Sequence, residues 1–204
     1  MNPIQLKTRP ALFAMLAILA IPTFAQADGA TLARNKCEHC HGAEGNSTRR
    51  EIPSIAGLSE EYAISTLRDF AKKDRIGKNI TVEGHPETNM NEIAKDLSSE
   101  EIKELAEYYS RQTFKARPQP VDLALAKKGK RVYKKRCRRC HEDNGRSVSE
   151  DAGRLAGQWI PYLKEELEDF LAGSRQAPKK MAKQLKKTTR EDLEALLHFF
   201  AAQQ

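Results

Sequence analysis

The spacing of apolar residues along the chain predicts helices and no strands. Apolar positions recur at helical spacing over four segments: 60–72, 102–109, 161–172 and 193–200. Ser98, followed three residues later by Glu101, forms a capping box before the second segment. Thr189 and Asp192 form a weaker one before the fourth. No stretch alternates apolar and polar residues in the manner of a strand, so the predicted fold is all-α.

Residues 1–27 differ from the rest of the chain and are typical of a cleaved export signal. Lys7 and Arg9 precede an apolar run over 11–21, and an Ala-x-Ala site ends at Ala27. The apolar run is 11 residues long, whereas a membrane span needs about 20. We therefore expect cleavage before Asp28 and a periplasmic mature protein.

Composition excludes several classes of protein. Hydrophobic residues make up 39% of the chain and charged residues 31%, with a mean hydropathy of −0.67. These values are too polar for a protein with many membrane spans, and too apolar for a disordered chain. Four cysteines are too few for a disulfide scaffold. The mature chain is expected to be soluble and to meet membranes only through its partners.

A sequence repeat divides the mature chain into two copies. The segment Cys37-Glu38-His39-Cys40-His41 recurs 100 residues later as Cys137-Arg138-Arg139-Cys140-His141. Further pairs match at the same offset: Gly29 with Gly129, Ala56-Gly57 with Ala156-Gly157, Tyr62 with Tyr162, Asp69-Phe70 with Asp169-Phe170, and Arg75 with Arg175. Two tandem copies of one small helical domain therefore account for the mature chain.

The two copies differ in length, and a proline-rich connector separates them. Beyond the matched arginines the offset falls to 91, so that Met90 aligns with Met181 and the first copy carries about nine extra residues. Pro118-Gln119-Pro120 predicts an extended, semi-rigid linker. We place the domains at 28–118 and 119–204. Each is too small to bury much apolar surface unless something large and apolar helps to fill it.

The repeated Cys-x-x-Cys-His motif is typical of covalent attachment of a c-type haem in an exported protein. Its spacing lets both thiols, of Cys37 and Cys40 or of Cys137 and Cys140, reach the two vinyl groups on one edge of a porphyrin. The histidine that follows, His41 or His141, then lies under the iron. The alternatives are weaker: 96 residues separate the two pairs, which disfavours one zinc site, and no βαβ pattern suggests a thioredoxin-like site.

The sixth iron ligand follows by elimination. Met90 and Met181 are the only methionines outside the export signal, and they occupy matched positions before the last helix of each copy. We assign them as iron ligands, although methionine also serves as a flexible core filler. His85 competes for the first iron, but its counterpart in the second copy is not a histidine. His198 aligns with Glu107 and is expected to have a structural role.

Ligation of each iron by a histidine and a methionine leaves no open coordination position for oxygen or peroxide. All four cysteines are also consumed, so that no thiolate remains as a nucleophile. Both features favour electron transfer over catalysis. The chain is therefore predicted to be an electron carrier with two haem c groups, and not an enzyme.

These motifs together resemble the dihaem class I cytochromes c, namely the cytochrome c4 family and the similar cytochrome subunit of flavocytochrome c sulfide dehydrogenase. The resemblance rests on both haem motifs, the Ala-Gly…Tyr…Asp-Phe segments and the Met90-Asn91-Glu92-Ile93-Ala94-Lys95 segment. It implies two cytochrome folds whose haems face each other across a pseudo-twofold interface. It also implies that the carbonyl of Pro53 fixes His41. The aligned Gly153 restrains its backbone less, which puts the equivalent bond to His141 in doubt.

Charge differs sharply between the copies. Residues 28–118 carry 14 basic and 16 acidic residues, a net charge of −2, whereas 119–204 carry 19 and 12, a net charge of +7. Nine of the thirteen residues over 127–139 are basic, and five lysines surround Met181. These basic clusters have two interpretations. They form either a solvated charged face or, as the more specific hypothesis, a basic edge of the second domain that docks an acidic redox partner.

Three classes of function follow, of which the first is preferred. The first is a free dihaem shuttle that passes electrons from a donor to a terminal oxidase or reductase. The second is the cytochrome subunit of an oxidoreductase, in which a flavoprotein subunit oxidises a sulfur compound. The third, a dihaem peroxidase, is disfavoured by the two matched methionines, and export with haem disfavours nucleic acid as a partner.

Overall fold

The computed structural model describes residues 28–148 and 152–203; the predicted export signal lies outside these ranges. Helices of the first half are α1 (Gly29–Lys36), α2 (Glu38–His41), α3 (Glu60–Lys72), α4 (Met90–Lys95) and α5 (Ser99–Ser110). Those of the second half are α6 (Leu123–Arg136), α7 (Ile160–Ala172), α8 (Lys179–Leu185) and α9 (Arg190–Ala201). Within the described ranges no extended strand forms, and Ile80 and Thr88 make an isolated β-bridge. The all-α prediction is confirmed.

The helix starts follow the capping signals in the sequence. At the start of α5 the Ser98 hydroxyl accepts from the Glu101 backbone, and the Glu101 carboxylate accepts from the Ser98 backbone in return. The Thr189 hydroxyl accepts the Asp192 N–H at 3.2 Å before α9. Both caps satisfy N–H groups that have no partner within the helix. In the described part of the chain, no helix has the length and apolar character to cross a membrane.

Each half is built on a close crossing of its first and last helices. In the first half, α1 packs against α5, and Leu32, Leu105 and Tyr109 form its core. In the second half, α6 packs against α9. The matched Gly29 and Gly129 lie at the crossings, where a Cβ atom would overlap the backbone carbonyl of the facing helix. These crossings fix α1 and α6, the helices that lead into the two haem motifs.

The extra residues of the first half form a short hairpin beside the first haem motif. Ile80 and Thr88 exchange two backbone hydrogen bonds of 2.7 and 3.1 Å. At its tip the ring of His85 stacks on that of His39, with centroids 4.5 Å apart and planes 15° from parallel. The side chain of Asn91 stabilises the segment that leads into the hairpin, because it accepts a hydrogen bond of 2.8 Å from the Gly77 N–H.

A buried set of hydrogen bonds joins the two halves. The Gln158 amide accepts the Ser54 N–H at 3.0 Å and donates to the Ser54 carbonyl at 2.7 Å. The indole of Trp159 donates to the Ser47 carbonyl at 3.1 Å. The first turn of α7 adds a backbone bond of 3.2 Å from Tyr162 N–H to the Arg50 carbonyl. The two halves therefore pack through specific, buried polar contacts.

Candidate haem sites and their surroundings

The first site is a cavity that runs between the cysteine motif and α4. Its empty space, including its open mouth, is about 1550 Å³. Cys37, Cys40 and His41 lie along it, and Met90 at the start of α4 also lines it. Its apolar lining includes Ile52, Ile55, Leu58, Leu67, Phe70, Ile93, Leu97 and Leu105. The structure thus brings together all four residues that the sequence assigns to this site.

His41 is buried and oriented by a backbone carbonyl. Its Nδ1 lies 2.9 Å from the carbonyl oxygen of Pro53, to which the ring N–H donates, so Nε2 keeps its lone pair. Burial lowers the pKa of His41, and the Pro53 carbonyl opposes this only in part. A neutral, oriented imidazole is what an iron ligand requires. The expectation for Pro53 is confirmed.

Burial disfavours the thiolate form of the first cysteine in each motif. Burial raises the pKa of Cys37 to about 11, and burial does the same to Cys137. All four cysteines are free of disulfides. Thiols that are protonated at neutral pH do not have the low pKa of a reactive redox pair. This favours the haem interpretation over a thiol–disulfide site.

The hairpin places His85 away from the lining of the first cavity. His39 lines this cavity, and His85 stacks on the outer side of His39 and is exposed. Met90, in contrast, faces the cavity. The geometry therefore favours Met90 over His85 as the second ligand of the first site.

The second half contributes one wall of the first cavity, which the sequence analysis did not foresee. The residues that line it from this side are Gly153, Arg154, Gln158, Tyr162, Glu165, Glu166 and Asp169. Tyr62 lies at the same boundary, so close to Gly153 that a Cβ atom there would be 2.8 Å from its hydroxyl. The Nε atom of Arg154 is buried without a protein partner in the described ranges. Such a donor suits an anionic group held in the cavity.

The second site is organised from Tyr133 on α6. Its hydroxyl donates to the His141 carbonyl at 2.7 Å and accepts the Asn144 N–H at 2.9 Å. Burial lowers the pKa of His141, as for His41. Its buried Nδ1, however, has no hydrogen-bond partner within residues 28–148 and 152–203. The doubt that Gly153 raised about this bond is therefore justified, since Gly153 packs against Tyr62 instead.

The fourth predicted ligand, Met181, lies in the second half on α8 and is partly buried. Leu185 on the same helix packs against the core cluster of this half, as does Cys137. The helix of Met181 and the cysteine motif therefore share one core. Its ligation of iron stays a prediction.

A basic groove joins the second haem motif to α8. It is lined by Tyr133, Lys134, Lys135, Arg136, Arg138, Arg139, Glu142, Asp143, Asn144 and Gln184. Gln184 belongs to α8, which also carries Lys179, Lys180 and Lys183, all exposed. Cys140 is exposed as well, whereas its counterpart Cys40 is partly buried. The groove therefore lies between the basic segment of the second motif and one residue of the lysine-bearing helix α8.

Comparison with known proteins decides the family. Residues 26–111 match the family described as Cytochrome c, and residues 124–200 match Cytochrome C oxidase, cbb3-type, subunit III. Cytochrome c4 of Stutzerimonas stutzeri is 32% identical over 179 residues, which cover 80% of this chain and 83% of that protein. The chain belongs to the cytochrome c4 family.

Further relatives support this assignment. The crystal structure of reduced recombinant cytochrome c4 from Pseudomonas stutzeri matches with a TM-score of 0.70 at 27% identity, covering 87% of this chain and 100% of that one. A thiosulfate dehydrogenase electron acceptor of Thiomonas intermedia is 32% identical over 149 residues, which cover 68% of this chain and 64% of that protein. Membership of the cytochrome c4 family confirms the two tandem cytochrome c domains, the two haem c groups and the role as electron carrier.

Proposed function

We propose that electrons pass between a donor and an acceptor protein through two haems, one ligated by His41 and Met90 and the other by His141 and Met181. The observation that carries this proposal is the first cavity, in which an oriented, neutral His41 and Met90 line the same apolar space. Cys37, Cys40, Cys137 and Cys140 hold the haems as thioethers. Residues 28–118 form the first domain and 119–204 the second.

The residues present fit a haem in the first cavity. The wall that the first half supplies is largely apolar, as a porphyrin requires, and on the opposite wall the Nε of Arg154, which has no partner within the described ranges, suits a propionate. The haem supplies a one-electron couple, and a thioether ligand favours the ferrous state more than a second histidine does. The chain's own part is to orient the imidazole through Pro53, to exclude water with the apolar wall of the first half, and to offer His41 and Met90 as the residues that would bind the iron.

Replacement of the methionines tests the ligands directly. We expect Met90→Ala and Met181→Ala each to remove about half of the weak far-red band that an iron–thioether bond gives in the oxidised protein, and to produce a high-spin haem. His85→Ala is the matched control and should leave that band intact. Loss of the band in His85→Ala, with retention in Met90→Ala, would overturn the assignment for the first haem.

We infer further that the basic groove docks an acidic redox partner. A groove flanked by lysines and arginines next to the exposed Cys140 attracts negative charge and speeds encounter at low ionic strength. Electron transfer to such a partner should slow steeply with added salt. Charge reversal of Lys179, Lys180 and Lys183 to glutamate should slow it further at low salt.

The first domain supplies a matched control for this charge reversal. Lys72, Lys73 and Lys103 are exposed lysines of that domain, and their reversal changes the net charge equally. Second-order rate constants with one acidic acceptor, measured by stopped flow over a range of ionic strength, distinguish the two triple variants. Equal slowing in both, or rates independent of salt, would refute docking at the groove.

We also propose that the protein is exported to the periplasm and cleaved before Asp28, which amino-terminal sequencing of the periplasmic fraction tests.

A second candidate function is that of the cytochrome subunit of an oxidoreductase acting on a sulfur compound. The similarity to a protein named as a thiosulfate dehydrogenase electron acceptor favours it. Stable co-purification with a catalytic subunit, flavin-containing or otherwise, would support this candidate over a free shuttle.

A further inference from the structure

One carboxylate at the boundary between the domains binds two arginines that are equivalent in the repeat. Glu166 of α7 accepts from Arg75 of the first domain, with Nη2 to Oε1 at 2.5 Å, and its other oxygen accepts from Arg175 of the second. Only 11%, 18% and 20% of the Arg75, Glu166 and Arg175 side chains are exposed. Charges this poorly solvated interact strongly and are little screened by salt.

Both arginines are held in a fixed orientation by aromatic rings. Arg75 lies 4.6 Å from the centroid of Phe70, and Arg175 lies 4.4 Å from that of Phe170. Burial alone would lower the pKa of Arg75, but Tyr162 and Glu166 hold it above its ordinary value, so it stays charged. The carboxylate therefore joins two oriented cations, one from each domain.

The arrangement is not symmetric, although the repeat is. The residue of the first domain that aligns with Glu166 is Thr66, which carries no charge. A single acidic side chain therefore serves both arginines, and it comes from the second domain. Its partner Arg75 lines the cavity of the first haem site, as does Glu166 itself.

We propose that Glu166 is a positioning residue that locks Arg75 to the second domain and thereby sets the electrostatic field at the first haem. This rests on the proposed function, because it requires a haem in the first cavity. With Glu166 ionised, the three side chains carry one net positive charge; without it they carry two. An added positive charge beside the cavity disfavours the ferric state, so loss of Glu166 raises the potential of the first haem.

The test uses Glu166→Gln in the full-length holoprotein, with Glu168→Gln as the control. Glu168 lies on the same helix, is exposed and is not among the residues that line the first cavity. Two measurements are made: the potential of each haem by spectroelectrochemical titration, and hydrogen exchange at the Tyr162 amide, which donates across the boundary to Arg50. Only the haem potentials report the electrostatic field, and only the exchange rate of the Tyr162 amide reports how firmly the two domains are held together.

Glu166→Gln should raise the potential of the first haem more than that of the second and speed exchange at Tyr162 at least about tenfold. Glu168→Gln should change both much less. Glu166→Asp keeps the negative charge but has a shorter side chain, so hydrogen exchange at Tyr162 should become faster with little change in the potential of the first haem. This variant replaces Glu166→Gln in the test if Glu166→Gln does not fold. Potentials and exchange equal to wild type in Glu166→Gln would overturn the proposal. Failure of the haem assignment itself is distinguishable, because it appears in the methionine variants and not here.

Discussion

Replacement of Gln158 by alanine is the sharpest test of how the two domains are held together. The Gln158 side chain is 3% exposed and makes a paired set of bonds with the backbone of Ser54, which is also 3% exposed. Gln158→Ala removes both partners of the Ser54 peptide groups and leaves these groups buried without them. The contact of Gln119 with the Gln158 carbonyl is unaffected, since it involves backbone.

The expected cost follows from the two groups left without partners. A buried N–H or C=O that loses its hydrogen bond costs about 1–3 kcal/mol, so the pair gives about 2–6 kcal/mol. Separation of the domains would expose both groups to water. The free energy of that separation is therefore the upper limit of the cost. We expect a loss of at least about 2 kcal/mol in the free energy of opening the interface, which corresponds to about 30-fold faster exchange of the Tyr162 amide, whose acceptor across the boundary is the Arg50 carbonyl.

Native-state hydrogen exchange at Tyr162 measures this effect, and small-angle X-ray scattering of the same sample reports whether the domains separate. Gln112→Ala is the control, because Gln112 donates to the Tyr108 carbonyl at 2.8 Å entirely within the first domain. Its removal should leave exchange at Tyr162 unchanged. Exchange in Gln158→Ala within about threefold of wild type would show that the paired bonds do not hold the interface.

Two further predictions concern the cores of the domains. Gly129→Ala should lower the unfolding midpoint of the second domain, because the new Cβ would overlap the Ala195 carbonyl. Overpacking costs about 1–3 kcal/mol or more. This cost exceeds the gain of about 1 kcal/mol in helix propensity. An unchanged midpoint in thermal unfolding would contradict the steric argument. Acidification should destabilise the protein below about pH 6.5, because burial lowers the pKa of His41 and His141 and the unfolded chain therefore binds more protons there. Urea midpoints that stay constant or rise as the pH falls would refute this.

Much of the fold was predictable because its signals are local. Helix α3 has the bounds that the apolar spacing predicts, and the cap formed by Ser98 and Glu101 lies where the sequence places it. The attachment motif is equally local, since Cys37, Cys40 and His41 lie within five residues. Even the pairing of Pro53 with His41 was expected, through the family resemblance.

The boundary between the domains was not predictable in this way. Tyr162 and the matched arginines stand out in the sequence, but nothing in the sequence assigns a role to Glu166 or Gln158. A signal was present for the arginines, since Arg75 and Arg175 match at the offset of the haem motifs. No such signal marks Glu166, whose counterpart is a threonine.

The sequence by itself therefore determined the four helices predicted from apolar spacing, the repeat and the two Cys-x-x-Cys-His motifs. These depend on helical period, capping and motif spacing, which act over a few residues. Only the tertiary structure decided that the second domain closes the first cavity, that His85 lies outside it and that one carboxylate binds both arginines. Contacts between residues about 100 positions apart depend on how whole faces pack, and a repeat in sequence does not reveal where its two copies meet.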